Sequence, residues 1–246
     1  MNLTDKTIVI TGASKGLGRE TALRLCRSNA NLVLVARTES LLEQTQKEVE
    51  YLSGKKALII PCDISNETDV NHMAEMIKGK FKYVDVLINN AGIGIHKNSG
   101  EMSNEEMRKQ FEVNFYGPFY CIKALLPLIK HSGFAYILNI NSLVSKIAFA
   151  DNSVYSATKS ALARFSEGLR QELKDSNVKV GSFFPGLMKT SFRNDRKDGN
   201  KVPPFMIVKP EKAAVKIEKM IINRSKNAYI RRLIIVIPMK VKQLFQ

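Results

Sequence analysis

The 246-residue chain has no tryptophan, only three cysteines and only three histidines. Cys26, Cys62 and Cys121 stand far apart, odd in number and without a CxxC pair, so they offer no disulfide framework and fit a reducing compartment. His72, His96 and His131 lack metal-ligand spacing, so no metal is expected and each is read as a surface or helix-end residue. Long apolar runs are missing too. The aliphatic stretch near the end, Leu233 to Ile237, is far short of the ~20 residues a bilayer span needs. The N-terminal MNLTDKTIVITG passes straight into a strand-like run, which leaves no room for a signal peptide and implies a cytoplasmic location. Without a Ser/Gly-rich linker, a low-complexity tract or an internal repeat, one domain over 1–246 is the economical organisation.

Charge, by contrast, is abundant and one-sided. There are 38 Lys and Arg against 23 Asp and Glu, a formal net charge of +15. Residues 209–246 carry ten of the cations and two Glu, or +8, about half of the excess. A Lys-rich solvated surface accounts for most of this. No RNA-binding or zinc-finger motif accompanies the charge, so no nucleic-acid partner is expected.

Apolar runs at Thr7–Ile10, Leu32–Ala36, Ala57–Ile60, Val84–Ile88, Tyr136–Ile140 and Val178–Phe184 read as strands. They are continuous rather than alternating, as expected of strands buried on both faces of a parallel sheet. Between them lie helical stretches: one after Gly16 with Leu17, Thr21, Ala22 and Leu25 on one face, then Glu39–Leu52 and Asp69–Lys80. A long helix follows from a capping box at Ser103–Glu106 toward Lys130, then Val154–Lys174, and last a helix near Glu211–Ile222. The alternation predicts an α/β fold: a doubly wound parallel sheet with helices on both faces, a three-layer sandwich binding ligands at the carboxyl ends of its strands.

Two motifs carry the chemistry. Gly12, Ser14, Lys15, Gly16, Leu17 and Gly18 form a glycine-rich turn between the first strand and the first helix, suited to a dinucleotide pyrophosphate. Its spacing is not the common GxGxxG. After the second strand stands Arg37, where NAD binders prefer an acid. With Lys15 it argues for NADP(H), although Glu39 is nearby. The second motif is Tyr155–Ser156–Ala157–Thr158–Lys159, which sets a phenol and an ammonium on one helix face, where the cation would lower the phenol's pKa. Alone this pair is a chance-level match. Ser142 thirteen residues earlier, Asn114, and the Asn89–Asn90–Ala91–Gly92 run after the fourth strand change its weight.

In these ordered motifs the chain resembles a short-chain dehydrogenase/reductase of the compact, Rossmann-like, single-domain kind over nearly its whole length. The resemblance implies that Asn114, Ser142, Tyr155 and Lys159 form a catalytic tetrad. Tyr155 would be the acid/base, Ser142 would polarise the substrate oxygen, and Lys159 would lower the Tyr155 pKa and hold the nicotinamide ribose. Asn114 would anchor a water relaying protons through Lys159. It further implies cofactor contacts from Asp63 with Ile64, from Asn90, Ala91 and Gly92, and from Pro185, Gly186, Met188 and Thr190. The function so implied is NADP(H)-dependent interconversion of a carbonyl and an alcohol, by a homo-oligomer, dimer or tetramer. A 3-oxoacyl-carrier-protein reductase and a non-enzymatic NADP(H)-binding redox sensor stand as alternatives. The absence of GxSxG argues against Ser142 as a hydrolase nucleophile.

Substrate walls are expected at 92–96, 143–152 and 187–206, where Ile93, Ile95, Leu143, Ile147, Phe149, Leu187, Phe192, Phe205 and Met206 suggest an apolar substrate. A lid is read around 187–208 and a basic tail around 226–246. The aliphatic, cation-flanked end from Arg231 to Lys242 reads as a final strand with a frayed end, or as a weak contact with an anionic membrane surface.

Overall fold

The computed structural model describes residues 3–147, 150–188 and 207–230. Among the described residues seven strands form one parallel sheet in the order β3-β2-β1-β4-β5-β6-β7. These are β1 Thr7–Thr11, β2 Asn31–Ala36, β3 Leu58–Pro61, β4 Val86–Asn89, β5 Tyr136–Ile140, β6 Lys179–Phe184 and β7 Asn227–Tyr229. The helices are α1 Gly16–Leu25, α2 Glu39–Ser53, α3 Glu67–Lys80, α4 Asn104–Phe111, α5 Gly117–Lys130, α6 Ser153–Glu172 and α7 Pro210–Asn223.

The strands are apolar on both sides because each feeds two cores. Ile8 and Ile10 of β1 pack with Leu25 of α1, Leu42 of α2 and Ile217 of α7. Val9, one residue out of phase, packs with Met73 of α3, Leu125 of α5 and Leu169 of α6. Period-two side-chain alternation divides each continuous run between the two faces, and the predicted three-layer sandwich results. Order reverses between β1 and β4, which opens a crevice at their carboxyl ends.

Two departures from the sequence reading matter. The long helix predicted from Ser103 to Lys130 is broken by a π turn, Glu112–Tyr116, with Asn114 at its centre. The capping box at its start is present, Ser103 Oγ accepting from the Glu106 amide and the Glu106 carboxylate accepting from the Ser103 amide. The edge strand β7 was not anticipated. Part of the span read as a tail, Asn227–Tyr229, pairs with Ser182–Phe184 of β6. Of the span read as a lid, 187–208, only the edges are described, where Met188 bridges Val208. Phe149, Thr190, Phe192, Phe205, Met206 and the run Arg231–Lys242 lie outside the described residues.

Candidate active site

The glycine turn lies at the carboxyl end of β1. Gly12 and Gly16 take left-handed backbone, φ 66° and 57°, which glycine adopts without strain. Gly18 serves a close approach instead: a Cβ there would meet the Gly12 carbonyl oxygen at 2.2 Å. The turn is braced from β4. Thr11 Oγ1 accepts from the Asn90 and Ala91 amides at 3.0 and 3.1 Å. Asn90 Nδ2 donates to the Thr11 and Gly12 carbonyls at 2.9 and 3.2 Å. Asn90 and Ala91 thus shape the turn as well as border it.

The turn opens α1 at Lys15, an extended N-cap whose side chain makes no capping hydrogen bond. The first-turn amides of Gly16, Leu17 and Gly18 therefore face the crevice with the positive end of the helix dipole, a site suited to a phosphate group. Lys15 is exposed. Arg37, just past β2, lies 3.8 Å from Asp63 with its side chain 59% exposed, so its guanidinium has donors left for an anion. Asp63 also accepts from the Ser65 amide and hydroxyl. Ile64 packs on the first residue of α5, where a Cβ on Gly117 would meet it at 2.6 Å. On the far side, buried Pro185 and half-buried Gly186 follow β6, and Met188 packs on the core. This cradle, closed to side chains at Gly12, Gly18 and Gly92 and lined by unused donors, fits a phosphate-bearing dinucleotide.

Ser142, Tyr155 and Lys159 meet at the carboxyl end of β5. Ser142 caps a short 3-10 turn, Leu143–Ser145, and hydrogen-bonds with the Tyr155 hydroxyl. Tyr155 is buried, and burial pushes its phenol up to about 12, with the Ser142 bond opposing. Lys159 is buried one helical turn on, and desolvation pushes its ammonium down to about 8. Its Nζ donates to the Ile140 carbonyl at 3.0 Å. The sequence reading expected Lys159 to lower the Tyr155 pKa. The net shift is upward instead, because removing the phenol from water outweighs the Ser142 hydrogen bond that favours phenolate.

Asn114 is fully buried and its side chain is committed to structure. Its Oδ1 accepts from the Ile93 amide at 2.9 Å, and Nδ2 donates to the Ile93 carbonyl at 2.8 Å and Thr158 Oγ1 at 3.1 Å. Both amide protons of its side chain are thus used, while the π turn displaces its backbone from the ordinary helical ladder. Gly92 lets this cluster close, since a Cβ there would stand 3.1 Å from Asn114 Oδ1 and 3.5 Å from Lys159 Nζ.

Residues that the sequence reading overlooked hold the adjoining loop. Fully buried Gln110 accepts from the Ile95 amide at 3.1 Å. His96, read as a surface or helix-end residue, instead sits half-buried with its ring edge-on to Tyr155, centroids 5.9 Å apart. Its Nδ1 is 2.8 Å from Oδ1 of buried Asn152, which begins α6. Only its place in the segment 92–96, already read as a substrate wall, hinted at this. Ile93, Ile95, Leu143 and Leu187 are half-buried and Ile147 is buried, so the described part of the wall is largely apolar. Among the described residues no cluster of metal-ligating side chains occurs, and no helix is long and apolar enough to cross a membrane.

Comparison with known proteins agrees with this geometry. A family profile described as short chain dehydrogenase matches residues 6–201. The chain is 33% identical, over 81% of its length and 78% of the relative's, to an NADP-dependent 3-hydroxy acid dehydrogenase of Schizosaccharomyces pombe. It is 37% identical over 76% of its length to the ketoacyl reductase HetN of Nostoc, of which it spans only 64%. Among solved structures, an alcohol dehydrogenase from the archaeon Thermococcus sibiricus, complexed with 5-hydroxy-NADP, superposes with a TM-score of 0.82 at 27% identity, covering 92% of this chain and 95% of that one. The chain therefore belongs to the short-chain dehydrogenase/reductase family, oxidoreductases that bind a nicotinamide cofactor and act on small molecules.

Proposed function

We propose that the protein interconverts a carbonyl and an alcohol with NADP(H), using Tyr155 as the acid/base. The observation that carries this is the meeting of Ser142, Tyr155 and Lys159 at the carboxyl end of β5, with Tyr155 and Lys159 both buried. NADPH, when bound, supplies the hydride. Gly12 to Gly18, with Ser14 and Lys15, would hold its phosphates. Asp63 and Ile64 would border the adenine, and Asn90 to Gly92 the ribose side. Pro185 to Met188 and Thr190 would line the nicotinamide. Arg37 and Lys15, both with cationic groups open to solvent, favour a ribose 2′-phosphate over a bare hydroxyl.

In reduction, Tyr155 gives its phenolic proton to the carbonyl oxygen, and burial keeps that proton in place at neutral pH. Ser142 donates to the same oxygen as negative charge develops on it. Lys159, whose ammonium desolvation brings down to about 8, would hold the nicotinamide ribose and would be the nearby proton source for Tyr155. Asn114 fixes the wall loop through Ile93 and offers its backbone carbonyl to a relay water. The half-buried aliphatic wall suits an apolar carbonyl, and the relatives named for ketoacyl and 3-hydroxy acid substrates favour a 3-oxoacyl chain as a second reading.

The test is NADPH oxidation across ketones, aldehydes and 3-oxoacyl thioesters with wild-type protein and Tyr155→Phe. The reading predicts turnover that falls by about 10²–10⁴ in the variant, the range of general acid–base catalysis. Equal rates on every substrate, with NADPH still bound, would sink it and favour a redox sensor.

A further inference from the structure

The parallel sheet puts the strand starts, and with them the ends of α6 and α7, at the pole opposite the active site. At the starts of β6 and β7 this pole contains a crevice of about 480 Å³ between the ends of α6 and α7. Five of its lining residues are cations: Arg170, Lys174, Lys179, Arg224 and Lys226. No carboxylate lines it among the described residues. The nearest acid that engages the set is exposed Asp175, 3.9 Å from Lys174, and Glu172 beside it faces solvent. Arg170 lies 15 residues along α6 from Tyr155, roughly 22 Å at 1.5 Å per residue, so this is not part of the catalytic pocket.

A structural explanation for these cations exists and falls short. Two helix C-termini converge here, and each presents about half a negative charge that cations offset. Together they balance about one of the five. Two details exceed that need. Nε and Nη2 of Arg170 are buried without a hydrogen-bond acceptor among the described residues, an unfavourable state unless an acceptor arrives. Arg224 occupies the left-handed cap of α7, φ 44°, a position that glycine fills without strain. There its guanidinium shares the Phe134 ring with Lys6, at 5.3 and 5.6 Å.

We propose that this crevice is a second anion site, one that takes a phosphate group. Arg170 and Arg224 provide planar donor forks, and Lys179 and Lys226 provide mobile charges at the rim. The phosphate could be carried by a soluble metabolite or by a lipid headgroup, and the recognising chemistry is the same.

Calorimetric titration of the full-length protein with inorganic pyrophosphate tests this, since two positive sites are then available. Arg170→Gln is the direct variant. The exposed pair Lys179→Gln/Lys226→Gln keeps the test valid if Arg170→Gln fails to fold, and Lys15→Gln/Arg37→Gln marks the glycine-turn site. The proposal predicts a binding event that survives Lys15→Gln/Arg37→Gln and weakens about tenfold or more in Lys179→Gln/Lys226→Gln. Co-sedimentation with phosphatidic acid vesicles, lost in the same pair, would identify a lipid headgroup as the source. Pyrophosphate binding without vesicle binding would identify a soluble one. Pyrophosphate and vesicle binding both absent, or both indifferent to Lys179→Gln/Lys226→Gln, overturns the proposal.

Discussion

Replacing Lys159 with methionine should make the protein more stable at neutral pH while removing its activity. The ammonium is buried, and desolvation lowers its pKa from 10.5 to about 8. At about 1.4 kcal/mol per unit, holding this charge in the folded state costs on the order of 3 kcal/mol at pH 7. Methionine fills similar volume without charge, but leaves the Ile140 carbonyl without its 3.0 Å partner, a loss of about 1–2 kcal/mol. The net expectation at pH 7 is a variant more stable by about 1–2 kcal/mol. The sign depends on pH. Below about 8 Lys159 is protonated folded and unfolded, and the cost is fully present. As pH rises from about 8 toward 10.5 the folded group is neutral while the unfolded one still binds its proton, so wild-type stability recovers. The variant's advantage should therefore shrink by about 2–3 kcal/mol between neutral pH and the upper end of that window. Urea unfolding of both proteins, followed by far-UV circular dichroism at each pH, measures it. An advantage that is absent at pH 7, or unchanged by pH, would refute the reasoning that Lys159 is held at an energetic cost.

Other outcomes follow from the same structure. Gly18→Ala should destabilise the fold by about 1–3 kcal/mol in denaturant titrations, because the new methyl would stand 2.2 Å from the Gly12 carbonyl oxygen and must push β1 from α1. Arg37→Asp should weaken NADPH binding much more than NADH binding by fluorescence titration, and parallel losses would mean that Arg37 does not read the 2′-phosphate. His96→Ala should lower kcat by about tenfold with NADPH affinity intact, and His96→Phe should restore part of it, because the ring edge against Tyr155 is what positions the phenol. If alanine and phenylalanine behave alike, the ring contact is incidental.

What could be read from the chain tracks what is local in it. Continuous apolar strands such as Leu32–Ala36 announced a sheet covered on both faces, and the glycine turn and the Tyr155/Lys159 spacing announced the site. Asn227–Tyr229 is too short to show a period and became a strand only because β6 offered it an open edge. The π turn around Asn114 adds one residue to one turn, a shift of apolar phase too local to be told from ordinary irregularity in a single helical run. His96 and Asn152 are 56 residues apart and meet only once β4 and α6 are packed. At Tyr155 the spacing to Lys159 is visible in the sequence, whereas the depth of burial that raises the phenol's pKa is not.

The most direct test of the central claim follows the hydride itself. NADPH deuterated at C4 of the nicotinamide, incubated with the protein and the carbonyl panel, should yield an alcohol with deuterium on the former carbonyl carbon, and Tyr155→Phe should suppress its formation. NADPH that binds with normal affinity but never delivers deuterium to any carbonyl would contradict the account.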